Sequence, residues 1–405
     1  MTSMISDPPV RNADLRKNVW KIFAFVFFQT FLVLIPVIVP FWQSKGLSIR
    51  DVFTLQAIFG ATLIVFDVPA GYVADLFGRK KTLVVGSLIA ALGFQILWFG
   101  QTFGHFVIYE FVLGVGLSLQ SGCDVAILYN SLDQIELAGR KAKFLGQRLT
   151  AQTIGEGIAS ILGGLLAGIS LQWPAYVNAV TAWIPLFIAL SLSEPPGLNL
   201  PRGQHMANVK AIGKALFGHS KLLTWAIVNF IFYGFATYCA VWILQPFWAA
   251  KGLSLESFGY LWAANSFMVA LVGRYAHKIE EGFGTLNTVV LIAFLPIAGY
   301  FGMAYVPGWY GLAFAFAFPV CRGLNQIIFQ DAINKRVPAE MRATTNSIGS
   351  LGMRTLFIIF GPLIGFVLDR GGPTGALTTL GVVYSVGFVV IALPLLGLRR
   401  YFNVE

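Results

Sequence analysis

The chain has 405 residues, of which 57% are hydrophobic and only 11% charged, with a net charge of +10. A soluble domain carries about 25% charged residues, so the composition excludes one and points to the membrane. The positive balance marks cytoplasmic loops rather than a nucleic-acid partner. Cys123, Cys239 and Cys321 lie in apolar runs and imply no disulfide framework.

A polar lead over 1–18 precedes the first apolar run. That run is too long for a signal-peptide core and has no small-residue cleavage site, so it is read as a retained span. Apolar runs fall at 19–43, 52–74, 81–100, 105–132, 145–169, 172–193, 222–248, 256–277, 285–305, 309–330, 344–368 and 375–398. They predict twelve transmembrane helices, because backbone groups in lipid must be satisfied internally.

Span 1 carries Gln29 at its middle and ends in PFWQSKGLS, residues 40–48. The phrase reads as a helix end: Pro closes the span, Trp sits at the membrane interface, Lys meets water and Gly turns the chain. Span 2 holds Asp67 and ends in GYVADLFGRKK, with Gly71, Asp75, Gly78 and Arg79. Gly71 and Gly78 suit close packing and a turn, and Asp75 and Arg79 are within pairing reach on a helix. Span 4 carries Glu110, a turn from the outer surface and within reach of water. It also carries Gln120 and Asp124 on one face, with Asp133 at its cytoplasmic end. Span 5 holds Glu156 near its middle and then Gly164 and Gly168.

The longest connection, 194–221, is polar and contains Pro195, Pro196 and Pro201. It predicts a cytoplasmic linker between a six-helix bundle over 1–193 and another over 222–405. Span 7 carries Asn229, Tyr233 and Thr237 on one face and ends in PFWAAKGLS, residues 246–254, a near copy of the first phrase 206 residues on. Span 10 carries Arg322, Asn325 and Gln326. Span 11 carries Arg354 and then Gly361 and Gly365, matching the glycine pair of span 5.

Lys45, Arg50, Lys251 and Arg370 are the only basic residues on one set of connections. Apart from the intramembrane Arg322 and Arg354, all others fall on the opposite set, which is therefore cytoplasmic and holds both termini. The repeated phrases, the glycine pairs and the 198-residue offset relating Cys123 to Cys321 and Asp133 to Asp331 predict two homologous halves in parallel orientation. Such duplication is a transporter signature. The expected fold is an all-α membrane protein of two pseudo-symmetric six-helix bundles.

GYVADLFGRKK resembles the loop 2–3 signature G-x-x-A-D-x-x-G-R-K of the major facilitator superfamily, and follows span 2 on the cytoplasmic side, as in that family. With twelve spans and a central loop, the resemblance covers essentially the whole chain. It implies a secondary active transporter moving a small organic solute by alternating access. It also implies a conformational latch of Gly71, Asp75, Gly78 and Arg79, with Asp133 as local partner, and spans 1, 4, 7 and 10 lining the cavity. The second-half counterpart of the signature, GRYAHKIEEGFG, is eroded, with His277 where Asp75 would stand. Two departures weigh against a proton-coupled multidrug antiporter, the alternative. Glu110 stands where many exporters of the family carry arginine, and Gly155-Glu156-Gly157 lacks their proline.

A charge at mid-bilayer costs roughly 2.5–3.5 kcal/mol by insertion scales, so such residues usually face a cavity. The deep acids, Asp67, Glu110, Asp124 and Glu156, all lie in the first half, and both deep bases, Arg322 and Arg354, in the second. Asp67 suits a structural role. Asp124 and Arg322 occupy equivalent positions. Either they pair across the pathway as a gate, or Arg322 binds an anionic part of the solute while Asp124 takes a cation or proton, or each pairs within its own half. The substrate-binding candidates are Gln29, Gln120, Asp124, Asn229, Tyr233, Arg322, Asn325, Gln326 and Arg354. The proton-coupling candidates are Glu156 and Asp124. An anionic or amphiphilic metabolite is the expected solute.

No P-loop, HExxH or GxSxG motif occurs. No enzyme activity, cofactor or metal is expected, and an intramembrane enzyme or a non-transporting receptor is the remote alternative. The expected partners are the solute, protons and the lipid bilayer. The protein is expected as a monomer in a bacterial inner membrane.

Overall fold

The structure is a computed structural model that describes residues 12–196, 220–337 and 342–399. The expected linker 194–221 therefore lies mostly outside the described residues. In chain order the helices are α1 (Asn12–Gln29), α2 (Ile38–Ser44), α3 (Ile49–Phe77), α4 (Arg79–Phe99), α5 (Phe103–Gln120), α6 (Cys123–Gln134), α7 (Lys141–Ile169), α8 (Gln172–Thr181) and α9 (Ile184–Ser191). There follow α10 (Lys221–Ala250), α11 (Leu255–Phe283), α12 (Thr285–Tyr305), α13 (Tyr310–Ala315), α14 (Ala317–Leu324), α15 (Gln330–Lys335), α16 (Arg342–Gly387) and α17 (Leu393–Gly397). Among the described residues there is no β-strand.

Nine helical segments among the described residues are long and apolar enough to cross a membrane. The expected runs depart from simple rods where the sequence interferes. The first is broken between α1 and α2. Pro36 in the break lacks the N–H a helix needs, whereas Pro40 is tolerated in the first turn of α2, and the Thr30 hydroxyl donates to the carbonyls of Val26 and Gln152 at 2.8 and 3.1 Å. The fourth is broken at Gly122, in the left-handed region at φ 74°. The last two meet in α16 at Gly372, where φ is 63° and ψ is −176°, and the twelfth runs on past Gly387 through a π turn, Phe388–Ala392, into α17.

The described chain forms two compact units. Among the described residues the first comprises 12–34, 62–160 and 172–196, and the second 35–61, 161–171, 220–337 and 342–399. In the first, Leu15, Ile22, Phe25 and Val26 of α1 pack with Leu83 of α4, Ile127 and Leu132 of α6 and Ala189 of α9. Asn18 ties three segments of this core together. Its Nδ2 donates to Ser131 Oγ at 3.1 Å and to the Ser193 carbonyl at 2.8 Å, and its Oδ1 accepts from Ser193 N–H at 3.0 Å. Helices α4 and α5 approach backbone to backbone. A Cβ built on Gly86 would lie 2.7 Å from the Gly116 carbonyl oxygen, and one on Gly116 would lie 2.7 Å from Ala90 N.

In the second unit the matched glycines mark close helix crossings. A Cβ on Gly164 would lie 2.6 Å from the Glu256 carbonyl and 2.9 Å from Gly259, and one on Gly365 would lie 2.8 Å from Arg50 Cα. Small residues allow this approach where lipid offers no hydrophobic drive. Asp369 of α16 caps α3, its two carboxylate oxygens accepting from Ile49 N–H and Arg50 N–H at 2.9 Å each. An acid there satisfies orphan donors and meets the positive end of the helix.

The repeated phrase is one turn built twice. Gly46 and Gly252 have φ of 84° and 73°. Leu47 N–H donates to the Trp42 carbonyl, and Leu253 N–H to the Trp248 carbonyl, at 3.2 Å in both copies. This is the six-to-one closure of a left-handed helix cap. Trp42 and Trp248, the tryptophans of the two copies, are buried within the protein, at 0% and 1% exposure.

Candidate solute pathway

In the first unit α1 ends at Gln29, whose Nε2 donates to Gln120 Oε1 at 2.6 Å. The pair borders a cavity of about 20 Å³ beside the break in span 1, lined also by Phe28, Ser87, Phe94 and Asn178. That is room for one or two waters rather than a solute. Asn178 Oδ1 steadies the broken segment by accepting from Leu34 N–H at 3.2 Å.

Gln120 and Asp124 do not share a regular helical face, because Gly122 breaks the chain between them. Asp124 is only 4% exposed. Its carboxylate accepts from Arg148 Nε at 2.7 Å and lies 2.5 Å from a terminal guanidinium nitrogen of the same residue. The charge expected to face Arg322 is thus neutralised inside its own unit. Arg148 lies on α7 with its side chain 14% exposed. Glu156 is half-buried further along α7. Glu110, expected to reach water, is buried at 2% exposure. Asp67 is half-buried on α3.

The residues of the expected latch make different contacts from those the resemblance implies. Gly78 starts α4 with φ 95°, as a turn requires. A Cβ built on Gly71 would meet nothing within 4 Å, so this glycine mediates no close packing. Asp75 is exposed, and among the described residues no cation pairs with it. Asp133 pairs with Lys141 at 2.7 Å instead of with the latch. The start of α4 is held by Glu194, whose oxygens accept from Arg79 N–H at 3.0 Å and Lys80 N–H at 2.7 Å. Nothing in the sequence pattern singled out Glu194, Asn18 or Arg148, since each acts on a partner far away in the chain.

In the second unit the expected polar face of α10 points into packed protein. Asn229 is fully buried, and its Nδ2 donates to the carbonyls of Trp225 and Ile391 at 2.8 and 3.1 Å. Ile391 lies in a π-helical turn, Phe388–Ala392, where the widened ladder frees a carbonyl. Tyr233 is also fully buried, its ring against those of Phe232 and Tyr384. Asn325 opens a second π turn, Asn325–Phe329, and its Nδ2 donates to the Phe230 carbonyl at 3.1 Å. Asn325 is 1% exposed, whereas Arg322 and Gln326 are exposed, so the three do not share one environment. Among the described residues no carboxylate pairs with Arg322. Arg354 is half-buried on α16.

The family model of the Major Facilitator Superfamily matches residues 22–362. The tetracycline resistance protein, class H, of Pasteurella multocida is 21% identical, over 82% of either chain. Multidrug resistance protein 2 of Bacillus subtilis is 25% identical, over 85% of this chain and 86% of the relative. The crystal structure of a mutant of the nucleoside transporter NupG superposes with a TM-score of 0.77 at 16% identity, over 95% of this chain and 99% of that one. With its all-helical build and its family match across most of its length, the chain belongs to the major facilitator superfamily and is a multi-pass membrane protein, a secondary transporter and not an enzyme.

Proposed function

We propose that the protein carries a small organic solute with an acidic group by alternating access, and that Arg322 is its anion contact. The carrying observation is a guanidinium exposed on α14, in an apolar span, without an acid to pair it among the described residues. Left to lipid, such a charge costs about 2.5–3.5 kcal/mol or more, so Arg322 faces water or solute. Gln326, one turn on and also exposed, supplies a neutral contact.

Asp124, neutralised by Arg148, becomes a structural acid, which leaves Glu156 as the proton carrier. Asp75, exposed and without an ion pair among the described residues, takes a latch partner in another state. The topology that accompanies this function has twelve spans, bundles over 1–193 and 222–405, cytoplasmic termini and a monomer in a bacterial inner membrane. The second reading is export of amphiphilic compounds. It is favoured by the resistance proteins among the relatives and by the aromatic rings of Phe28 and Phe94 beside Gln29.

The test is a thermal-shift screen of organic anions and matched neutral compounds on the purified protein, followed by flux in proteoliposomes. A specific ligand raises the melting temperature by mass action. Arg322→Gln is expected to weaken an anionic ligand at least tenfold, with neutral analogues little changed. Undiminished anion binding in Arg322→Gln would sink the acidic-solute assignment, and stabilisation by neutral amphiphiles alone would favour the exporter. Proton coupling predicts solute-driven proton flux that Glu156→Gln abolishes.

A further inference from the structure

Gln245 stands immediately before the second copy of the repeated phrase, at the position where Val39 precedes the first. These equivalent residues touch. Val39 N–H donates to Gln245 Oε1 at 3.0 Å, and Gln245 Nε2 donates to the Ile35 carbonyl at 3.0 Å. Both side chains are fully buried. All of these residues lie in the second compact unit.

In an uninterrupted α-helix, Val39 N–H would donate to the Ile35 carbonyl itself. The Gln245 carboxamide therefore occupies one rung of the span 1 ladder, accepting from its donor and donating to its acceptor. A side chain inserted into the ladder is a known cause of a kink. Here the insertion coincides with a tight 3-10 turn at Ile35–Val37 and the start of α2.

We propose that Gln245 is a removable rung. It is inserted while this end of the molecule, the outer end in the topology above, is closed. When spans 1 and 7 part there, Val39 N–H closes onto the Ile35 carbonyl and the carboxamide passes to water. Neither state leaves a backbone group of that rung orphaned, so the exchange keeps the barrier between them low. Gln245 is a positioning residue for the conformational step and not a solute ligand. The inference rests on the transporter reading, since alternating access is what gives this end two states.

The test uses the full-length protein in lipid nanodiscs, with the three buried cysteines replaced by alanine and spin labels at positions 43 and 249, both exposed at this end. Pulsed EPR distances are compared for the parent, Gln245→Met and Gln245→Asn. Neither variant can bridge the rung. Both are expected to raise the open-to-closed ratio about fivefold, a modest effect for two neutral hydrogen bonds. The melting temperature should stay within about 2 °C of the parent. The peptide over 35–44 should remain protected from hydrogen exchange, because its rung closes on itself. An unchanged distance distribution in both variants overturns the proposal, whether or not the melting temperature falls. A lower melting temperature with faster exchange in 35–44 also overturns it, since that marks a static bond. Solute flux is scored separately. A parent that moves no solute, yet whose distances shift in the variants, would refute the solute assignment and leave the rung standing.

Discussion

Asp124 sits in the first turn of α6, where the positive end of the helix favours a carboxylate, and Arg148 neutralises it from α7. Removing one member of a buried pair strands the other, at about 3–5 kcal/mol. Asp124→Asn is thus expected to lower the thermal stability of the purified protein by several degrees. Asp124→Asn combined with Arg148→Gln should recover much of that loss, because no lone charge remains. A double variant as unstable as the sum of its parts would show that the pair is not the reason. The sequence made Asp124 visible as a deep charge but not its partner. Arg148 is 24 residues away on the next long helix, beyond the turn at Ala138–Arg140, a separation that periodicity within one span does not register. Arg322 and Glu156 stood out for the same reason as Asp124, charge inside an apolar run. Gln245 did not, because a neutral amide in a span carries no signal until its backbone partners are known.

Among the helices, glycines separate into those that hold a crossing and those that do not. Gly116 holds one: an added methyl would sit 2.7 Å from Ala90 N and 2.9 Å from the Gly86 carbonyl. Gly116→Ala should destabilise by about 1–3 kcal/mol, since two backbones would have to separate. Gly71, in the family signature, has open space about its Cα within α3. Gly71→Ala should leave the melting temperature unchanged or raise it, by up to about 1 kcal/mol of helix propensity. Loss of transport with stability intact would then mean that Gly71 matters in a conformer other than this one. Most spans were legible as apolar runs. Their breaks were less so: Pro36 and Pro40 stand in plain view, but where the chain leaves the helix depends on Thr30 and Asn178 finding partners in distant segments. The duplicated phrase shows the same division. Its Gly and Lys read correctly as a helix end, while the burial of Trp42 and Trp248 follows from packing that composition does not encode.

For the molecule as a whole, two independent contacts tie the ends of spans 1 and 2 into the second unit. They are the Gln245 carboxamide in the ladder of span 1 and the Asp369 carboxylate on the first turn of α3. If both are made only in the closed conformer, they act on one equilibrium. Their effects on its free energy then add, and their effects on the open-to-closed ratio multiply. Asp369→Ala removes a helix cap, with a typical cost of about 1 kcal/mol, which corresponds to a ratio change of about fivefold. Combined with Gln245→Met, the spin-labelled protein should show a ratio change of about twenty-five-fold. A ligand that prefers the closed conformer should lose affinity in step, because part of its binding energy then goes to restoring closure. A double variant no more open than either single one would mean that the two ends move separately, span 1 on its rung and span 2 on its cap.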